Sequence, residues 1–469
     1  MRLIPQPESI EIFSGTSSFK EITKKETDLS LTQDGEYELI IEAGDITAKA
    51  SCDMGFYYAA LTLKQIVSLY SFVPCLHIKD KPRYSHRGFM IDCARHMFSV
   101  DELKKMISCA ADVKFNKFHW HLSDDQGFRI ELDSLPELTE KGSVRKCDNF
   151  INCKSDKPYS GYYKKSEIRE IVSFCKERFI DVIPELDMPG HQSAFLHVYP
   201  QFTCNGDNVE VKTSQGIFKD IICAGNEQAQ DYIKKILDEI CELFPYDTIH
   251  IGGDEVPKFN WKTCEKCRKV IEENNLEDES HLQCFFINKM AGYLENKGKK
   301  VVVWNDCLKG KGLSEKLIIQ HWQKGLKRTA RAANNGQKLI LSPFTPYYAD
   351  YPYGMHPLKA VYKFEPESFR GLDKKGKSSV IGVESPIWTE HINTDERIEY
   401  MCFPRWFAVA ETGWSAKENR KYREFEAVLK KLCEYYKNKG LHPAPESDWN
   451  PSVLTRLSET VKFFMPKKQ

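Results

Sequence analysis

The chain has 469 residues, of which 41% are hydrophobic and 12% aromatic, so it can bury a large core and has no composition typical of disorder. Its 67 lysines and arginines balance 67 aspartates and glutamates, and a neutral chain without a basic block gives no reason to expect nucleic acid or an anionic membrane as partner. No apolar run approaches the length of a membrane span, and the N-terminus has no signal-peptide pattern, so we expect a cytoplasmic protein.

Residues 1–82 are predicted to form a small α+β accessory domain. Residues 36–43 and 46–50 have strand-like patterns, and the apolar side chains of residues 55–70 recur at helical spacing. The Lys-Pro-Arg sequence at residues 81–83 is the predicted boundary, so residues 83–469 would form the catalytic domain.

After this boundary, short apolar strands alternate with helical segments. The first such helix is predicted to begin at Ser99, because Ser99-Val-Asp-Glu102 has the spacing of a capping box. Eight candidate strands follow one another: residues 87–92, 118–122, 181–185, 248–252, 300–304, 317–322, 338–342 and 380–384. This alternation predicts a parallel sheet, and eight units fit a (β/α)8 TIM barrel. The main alternative is a doubly wound open sheet, but no glycine-rich phosphate motif follows the first strand.

Polar and aromatic side chains follow nearly every candidate strand, at the end where a TIM barrel has its active site. They include Asp92, Arg95, His119, His121, Asp124, Asp125, Glu185, Asp187, His191, His250, Asp254, Glu255, Trp304, Trp322, Tyr348, Asp350, Trp388 and Glu390. Sugars have flat C–H faces surrounded by hydroxyls, so a sugar site needs aromatic walls together with carboxylates or arginine. The pattern therefore favours a carbohydrate-binding site.

Three chemistries are consistent with these residues. His119-Trp-His121 has the spacing of a metal-binding strand, although histidines at period two equally suit a packed internal layer. A conventional glycosidase needs two carboxyls on opposite sides of the scissile bond, which is awkward for Asp254 and Glu255, whose Cα atoms are about 3.8 Å apart. If the 2-acetamido group of the substrate is the nucleophile, one carboxyl that keeps its proton and one that is ionised suffice, and adjacent residues serve well.

Sixteen cysteines are present, and several lie in helix or strand patterns where buried free thiols are expected (Cys93, Cys109, Cys175, Cys241 and Cys433). Cys264-Glu-Lys-Cys267 has the spacing of a metal site. One such pair without a clear second pair is weak support for zinc, so a structural or incidental role is favoured there.

Taken together, the motifs resemble those of the family 20 glycoside hydrolases, the β-N-acetylhexosaminidases. The resemblance is carried by Arg87-Gly with Asp92, Arg95 and His96, by His119-Trp-His-Leu-Ser-Asp-Asp-Gln-Gly-Phe-Arg129, by Pro184-Glu-Leu-Asp-Met-Pro-Gly-His191, by His250-Ile-Gly-Gly-Asp-Glu255 and by Trp388-Thr-Glu390. These motifs span residues 87 to about 414, which is nearly the whole predicted barrel. The N-terminal unit is similar to the accessory domain of that family.

The resemblance implies a role for each matching residue. Glu255 would be the general acid and base, Asp254 would accept the acetamide N–H, and Tyr348 would donate to the acetamide oxygen. The remaining implied site residues are the walls Trp304, Trp322 and Trp388, the hydroxyl-binding Arg95, Asp350 and Glu390, and Asp124 and His191, which would tune Glu255.

The implied reaction is retaining hydrolysis of terminal β-linked N-acetylglucosamine or N-acetylgalactosamine through an oxazolinium ion, without a metal or organic cofactor. The substrate would be an oligosaccharide or glycoconjugate, and the resemblance leaves homodimerisation open. Alternative functions are a disaccharide-releasing relative of the lacto-N-biosidase type, and more distantly a metal-dependent amidohydrolase-like barrel or a non-catalytic sugar-binding barrel.

Overall fold

A computed structural model describes residues 1–465, and its N-terminal part is a five-stranded mixed sheet. In chain order the strands are Ser9–Ser17, Lys24–Thr27, Tyr37–Ile41, Ile46–Ala50 and Val73–Asp80, and their order across the sheet is 1-5-3-4-2. Alternate residues of the third and fourth strands are buried, and helix Asp53–Leu69 packs against both strands. The first, second and fifth strands were not predicted. Most side chains of the first two are exposed or half-buried, so they lack the alternation that marks a strand.

The rest of the chain is built around a closed barrel of eight parallel strands, which confirms the predicted TIM barrel and shows that the open-sheet alternative is wrong. Barrel strands 1–8 are His86–Asp92, Lys117–His121, Asp181–Glu185, Thr248–His250, Lys300–Trp304, Ile318–His321, Leu339–Leu341 and Val380–Ile387. Strand 8 pairs with strand 1 from Gly382 opposite His86 to Ile387 opposite Ile91, and this pairing closes the barrel.

Helices surround the barrel, and most of the longer ones bury an apolar face, whereas helix Val453–Phe464 buries no residue. The longer ones are Val100–Asp112, Lys165–Lys176, Glu227–Leu243, Glu265–Glu273, Glu279–Glu295, Leu326–Asn335, Asp395–Cys402, Arg405–Trp414, Tyr422–Lys437 and Val453–Phe464. Shorter helices are Glu137–Glu140, Ser193–Val198, Phe259–Thr263, Phe344–Tyr347, Leu358–Lys363, Lys374–Ser379 and Glu446–Trp449. The Ser99 hydroxyl accepts a hydrogen bond from the backbone N–H of Glu102 at 3.1 Å, so the predicted helix start is observed.

The N-terminal sheet is attached to the barrel near the N-terminal ends of the barrel strands. Asp80 ends the last strand of the sheet and accepts from Lys114 Nζ at 2.8 Å and from Trp414 Nε1 at 2.8 Å. All three side chains are buried, so the contact is a hydrogen-bonded ion pair within an apolar interface. The predicted domain boundary falls between Asp80 and His86, where barrel strand 1 begins.

All sixteen cysteines lie within the described residues and none forms a disulfide. Four of the five expected buried thiols are buried, and Cys241 is half-buried. No helix within residues 1–465 combines the length and the apolar character that crossing a membrane would require.

Candidate active site

A cavity of about 280 Å³ opens at the C-terminal ends of the barrel strands. Ten of the eleven predicted site residues line it: Arg95, Asp124, His191, Asp254, Glu255, Trp322, Tyr348, Asp350, Trp388 and Glu390. They come from loops after seven of the eight strands, so only barrel closure brings them together.

The turn after strand 4 aims the two adjacent carboxyls at the cavity. Gly252, Gly253 and Glu255 all have positive φ angles, of 63°, 97° and 47°. A Cβ on Gly252 would lie 1.7 Å from Oδ1 of Asp187, so only glycine fits there. The backbone N–H of Gly253 donates to Oδ1 of Asp187 at 2.8 Å, and the backbone N–H of Trp304 donates to the carbonyl oxygen of Gly252 at 3.0 Å. These bonds hold a turn in which consecutive side chains, Asp254 and Glu255, both reach the cavity.

Asp254 lies against a second buried carboxyl, that of Asp187, which follows strand 3. Burial raises the pKa of Asp254 well above its usual range, and the charge of Asp187 adds to this effect. Burial also raises the pKa of Asp187, to about 8, so both carboxyls of this pair hold protons more strongly than free carboxyls. Within the described chain, Oδ1 of Asp254 is buried without a hydrogen-bond partner.

This protonation differs from the sequence-based expectation that Asp254 is ionised while Glu255 keeps its proton. The physical reason is first the burial of Asp254 and then the neighbouring Asp187 carboxyl, which disfavours a second negative charge beside it. In the protein without substrate, both Asp254 and Glu255 therefore hold protons more strongly than free carboxyls.

Glu255 is more accessible, with 26% of its side chain exposed. Burial raises its pKa, and the charge of His191 partly opposes this shift. His191 Nε2 lies 3.8 Å from Oδ2 of Asp254 and 3.8 Å from Oε2 of Glu255. Burial alone would lower the pKa of His191, but Asp124 and then Asp125 outweigh it and raise that pKa well above its usual range. A buried cation therefore lies equally close to both carboxyls.

Aromatic rings form the walls of the cavity. Trp322 and Tyr348 are stacked, with centroids 6.0 Å apart and an interplanar angle of 13°. Trp322 is oriented by a hydrogen bond from Nε1 to Oδ2 of Asp306 at 2.7 Å. Trp388 lies 6.3 Å from Tyr348 and carries the Arg95 guanidinium over its face at 5.1 Å. Flat apolar surfaces on two sides suit the C–H faces of a sugar ring.

Trp304 is the exception among the predicted wall residues. Its side chain is 1% exposed and does not line the cavity. The indole Nε1 donates to Oε1 of Glu185 at 2.8 Å, which draws the ring down into the barrel, and the ring packs against Trp388 at 6.2 Å. Trp304 thus supports a wall residue from beneath.

Polar groups gather at one side of the cavity. Arg95 is held by Asp124, with Nη2 2.8 Å from Oδ2, and by Gln126, which accepts from Nε at 2.8 Å. Its Nη2 lies 3.9 Å from Oε1 of Glu390, so Glu390 retains hydrogen-bonding capacity. Burial raises the pKa of Asp350 well above its usual range, and the nearby negative charge of Glu390 raises it further. Donors and acceptors on fixed side chains are suited to sugar hydroxyls.

The histidines of strand 2 point into the barrel interior, as the packed-layer interpretation predicted. His119 hydrogen-bonds Glu384 at 2.8 Å and Glu185 at 3.1 Å, while His121 Nε2 hydrogen-bonds Asp124 at 2.9 Å. The ligand atoms of His119, Glu185 and His250 lie within 4.8 Å of one another, which a metal ion could bridge. Burial alone would lower the pKa of His119, but Glu384 and Glu185 raise it to about 9. A protonated imidazole has no lone pair for a metal, so a hydrogen-bonded network is favoured here over a metal site.

Sequence reasoning missed seven residues that line the cavity: Ile151, Gln215, Phe344, Tyr351, His391, Phe463 and Phe464. The most distant in sequence are Phe463 and Phe464, at the end of helix Val453–Phe464. The Phe463 ring packs against Tyr351 at 5.1 Å and against His391 at 4.8 Å. Nothing local in the sequence of this C-terminal segment indicates that it ends at the barrel mouth.

Comparison with known proteins agrees with this geometry. The sequence model described as "Glycosyl hydrolase family 20, catalytic domain" matches residues 84–417. A β-hexosaminidase of Porphyromonas gingivalis is 34% identical over 93% of this chain, which spans 58% of that longer protein. The solved structure of a family 20 exo-β-N-acetylglucosaminidase from Vibrio harveyi, in complex with N-acetylglucosamine, superposes with a TM-score of 0.84 at 27% identity, covering 94% of this chain and 78% of that one. A β-N-acetylhexosaminidase from Bacteroides fragilis superposes with a TM-score of 0.82 at 28% identity, covering 95% and 97%.

The family model covers all eight barrel strands and the ten predicted residues that line the cavity. The expectation drawn from the motifs is confirmed: this chain belongs to glycosyl hydrolase family 20.

Proposed function

We propose that this protein is a retaining exo-β-N-acetylhexosaminidase that uses the 2-acetamido group of its substrate as the nucleophile. The observation that carries the proposal is Oδ1 of Asp254, which is buried without a hydrogen-bond partner among residues 1–465. It lies in the same cavity as Tyr348 and as Glu255, whose pKa is raised by burial. An unsatisfied buried acceptor costs about 1–3 kcal/mol, which a substrate N–H would recover. An amide group on the sugar supplies that N–H.

In the first step, the acetamide oxygen attacks the anomeric carbon and forms a C–O bond. The glycosidic C–O bond breaks, and Glu255 transfers its proton to the departing oxygen. The positive charge of the resulting oxazolinium ion is balanced by Asp254, which accepts the N–H. Tyr348 is in position to donate to the acetamide oxygen and orient it.

In the second step, water attacks the same carbon from the face that the leaving group vacated. Glu255 takes a proton from this water, and the oxazolinium C–O bond breaks to restore the acetamide. Two inversions give net retention of the anomeric configuration. Glu255 regains its proton, so the cycle is complete without a cofactor.

The raised pKa of Asp254 adds a requirement to this mechanism. Asp254 must ionise to balance the oxazolinium charge, yet burial and the neighbouring Asp187 carboxyl raise its pKa in the free protein. The hydrogen bond from the acetamide N–H favours the ionised form, so substrate binding lowers this pKa. Asp187 can stay protonated beside it, because burial raises the pKa of Asp187 also.

The shape of the cavity favours release of a single sugar. Its volume, about 280 Å³, lies just below the ~300–1,000 Å³ typical of ligand sites. This supports an exo-acting hexosaminidase over the disaccharide-releasing alternative. We assign the sugar hydroxyls at C3 and C4 to Arg95 and Glu390 and the C6 hydroxyl to Asp350, with Trp322 and Trp388 as walls.

The test uses aryl β-glycosides that differ only at C2, assayed with the wild type, Asp254→Asn and Glu255→Gln. The wild type should cleave the N-acetylglucosaminide and leave the glucoside essentially uncleaved. Asp254→Asn should lower kcat about 10²–10³-fold. Glu255→Gln should lower kcat by about 10²–10⁴-fold for a poor leaving group and by less for an activated one. Glu396→Gln, which alters an exposed glutamate of helix Asp395–Cys402, is the matched control.

Similar turnover of the two glycosides would refute substrate assistance. An inert wild type that binds sugar as well as Glu255→Gln would instead support the non-catalytic sugar-binding barrel. Loss of the chemical step on adding a chelator, with the fold intact, would support the amidohydrolase-like alternative.

We further propose a cytoplasmic location and a homodimeric state. Sixteen free cysteines suit a reducing compartment, which supports the cytoplasmic location. Helix Val453–Phe464 exposes Leu454, Leu457 and Val461, an apolar face consistent with a homodimer that light scattering would detect.

A further inference from the structure

Four cysteines from separate parts of the chain meet outside the cavity. Their Sγ atoms all lie within 4.8 Å of one another: Cys204, Cys223, Cys264 and Cys267. Cys223 Sγ lies 3.6 Å from Cys267 Sγ and 3.7 Å from Cys264 Sγ, and Cys204 Sγ lies 3.9 Å from Cys267 Sγ. A tetrahedral zinc ion with Zn–S bonds of about 2.3 Å requires S–S separations of about 3.8 Å. A disulfide requires about 2.05 Å, so the observed separations match a metal site.

The surroundings of the cluster are those of a closed structural site. Cys223, Cys264 and Cys267 are buried and Cys204 is half-buried. Cys264 precedes helix Glu265–Glu273 and Cys267 lies in its first turn. A Cβ on Gly225 would lie 2.4 Å from the backbone of Lys266, so a glycine is needed where the two segments approach.

Once deprotonated, the four sulfurs would need a cation between them. Their Sγ atoms lie within 4.8 Å of one another, so four thiolates at these positions would repel one another. Four thiols at these distances therefore cannot all ionise without a cation between them. A divalent soft metal ion removes this conflict by binding all four thiolates.

We propose that Cys204, Cys223, Cys264 and Cys267 bind one Zn²⁺ in a structural tetrathiolate site. Binding releases the thiol protons, and no electron transfer is involved. The site has four protein ligands and no open position, so the metal takes no part in catalysis. The proposal is independent of the proposed glycosidase activity.

The zinc ion would hold together the two loops that carry the carboxyl and imidazole groups of the cavity. Cys204 and Cys223 lie in the segment after strand 3, which also contains His191, while Cys264 and Cys267 follow the Asp254–Glu255 turn after strand 4. The backbone connects the cluster to the cavity loops, since Ile222 N donates to Pro189 O at 3.0 Å and Trp261 Nε1 donates to Ile222 O at 3.0 Å. The metal thus acts as a cross-link beneath the catalytic loops.

The test is metal analysis of the whole chain, purified in the presence of a thiol reductant and without a chelator. Elemental mass spectrometry should find one zinc per chain, and a mercurial thiol reagent should release it. Cys223→Ser and Cys267→Ser should lose most of the zinc and unfold at lower temperature. Cys175→Ser, which alters a buried free thiol in helix Lys165–Lys176, should retain the zinc.

A wild-type measurement keeps the proposal testable if the cluster variants do not fold. Protein produced with Co²⁺ in place of Zn²⁺ should show the absorption of tetrahedral cobalt thiolate. Wild-type protein that contains no stoichiometric metal, or that contains iron in place of zinc, would overturn the proposal. So would disulfides among these cysteines under reducing conditions, or zinc that remains in a folded Cys267→Ser variant.

Discussion

Replacing His191 with asparagine should move the whole pH profile of catalysis to higher pH. Asparagine is neutral, and it tolerates the positive φ angle of 53° at this position. His191 Nε2 lies 3.8 Å from an oxygen of both Asp254 and Glu255. At an effective dielectric constant of about 20, a unit charge at that distance contributes about 4 kcal/mol, or about 3 pKa units. Solvent near the partly exposed Glu255 reduces this effect to about 1–2 units.

The direction of the shift depends on which carboxyl produces each limb of the pH profile when it ionises. Removing a cation raises the pKa of Asp254, so the acidic limb, where Asp254 must ionise, moves upward. It also raises the pKa of Glu255, so the basic limb, where the acid loses its proton, moves upward too.

The assay is kcat/KM for an aryl N-acetylglucosaminide as a function of pH. The matched control is His391→Asn, because burial lowers the pKa of this cavity-lining histidine and it is neutral at working pH. The control should leave both limbs in place. Limbs that stay in place in His191→Asn, with its fold intact by circular dichroism, would refute the assignment of His191 as the shared cation.

Three further predictions follow from the same geometry. The acidic limb of kcat should lie about one pH unit or more below that of kcat/KM, because substrate binding favours ionised Asp254; coincident limbs would contradict this. Gly252→Ala should abolish activity and destabilise the fold by more than Gly298→Ala, because its Cβ would lie 1.7 Å from Asp187 Oδ1 whereas Gly298, also at positive φ, has no neighbour within 4 Å. Equal unfolding temperatures of these two variants would show that the protein accommodates the added methyl group at position 252 without loss of stability. Phe463→Ala should raise KM about 2–10-fold for N-acetylglucosamine disaccharides, because a lost aromatic contact costs about 0.5–1.5 kcal/mol. KM for aryl glycosides should stay the same. Equal KM changes for both substrates would exclude a contact between Phe463 and the leaving group.

The sequence by itself determined the barrel, its eight strands and the family of the protein. Each barrel strand is a short apolar run followed by polar residues, and each long helix carries an apolar stripe, so the local pattern dictates both elements. Ten cavity residues were predicted because they directly follow strands, and parallel strands in a barrel end on the same side. Motifs such as His250-Ile-Gly-Gly-Asp-Glu255 are contiguous, so they can be recognised from the sequence alone.

The tertiary structure decided what depends on distant residues meeting. Asp187 reaches Asp254 only when strands 3 and 4 are neighbours, and no local pattern encodes that contact, which adds to the effect of burial in raising the pKa of Asp254. Trp304 lies at the C-terminal end of its strand, near where the other two tryptophans follow theirs, yet a hydrogen bond to Glu185 places it beneath the cavity. Cys204 and Cys223 have no motif spacing of their own, so only the folded loops bring them to Cys264 and Cys267. Charge coupling, burial and coordination depend on distances in space, whereas the sequence displays only order along the chain.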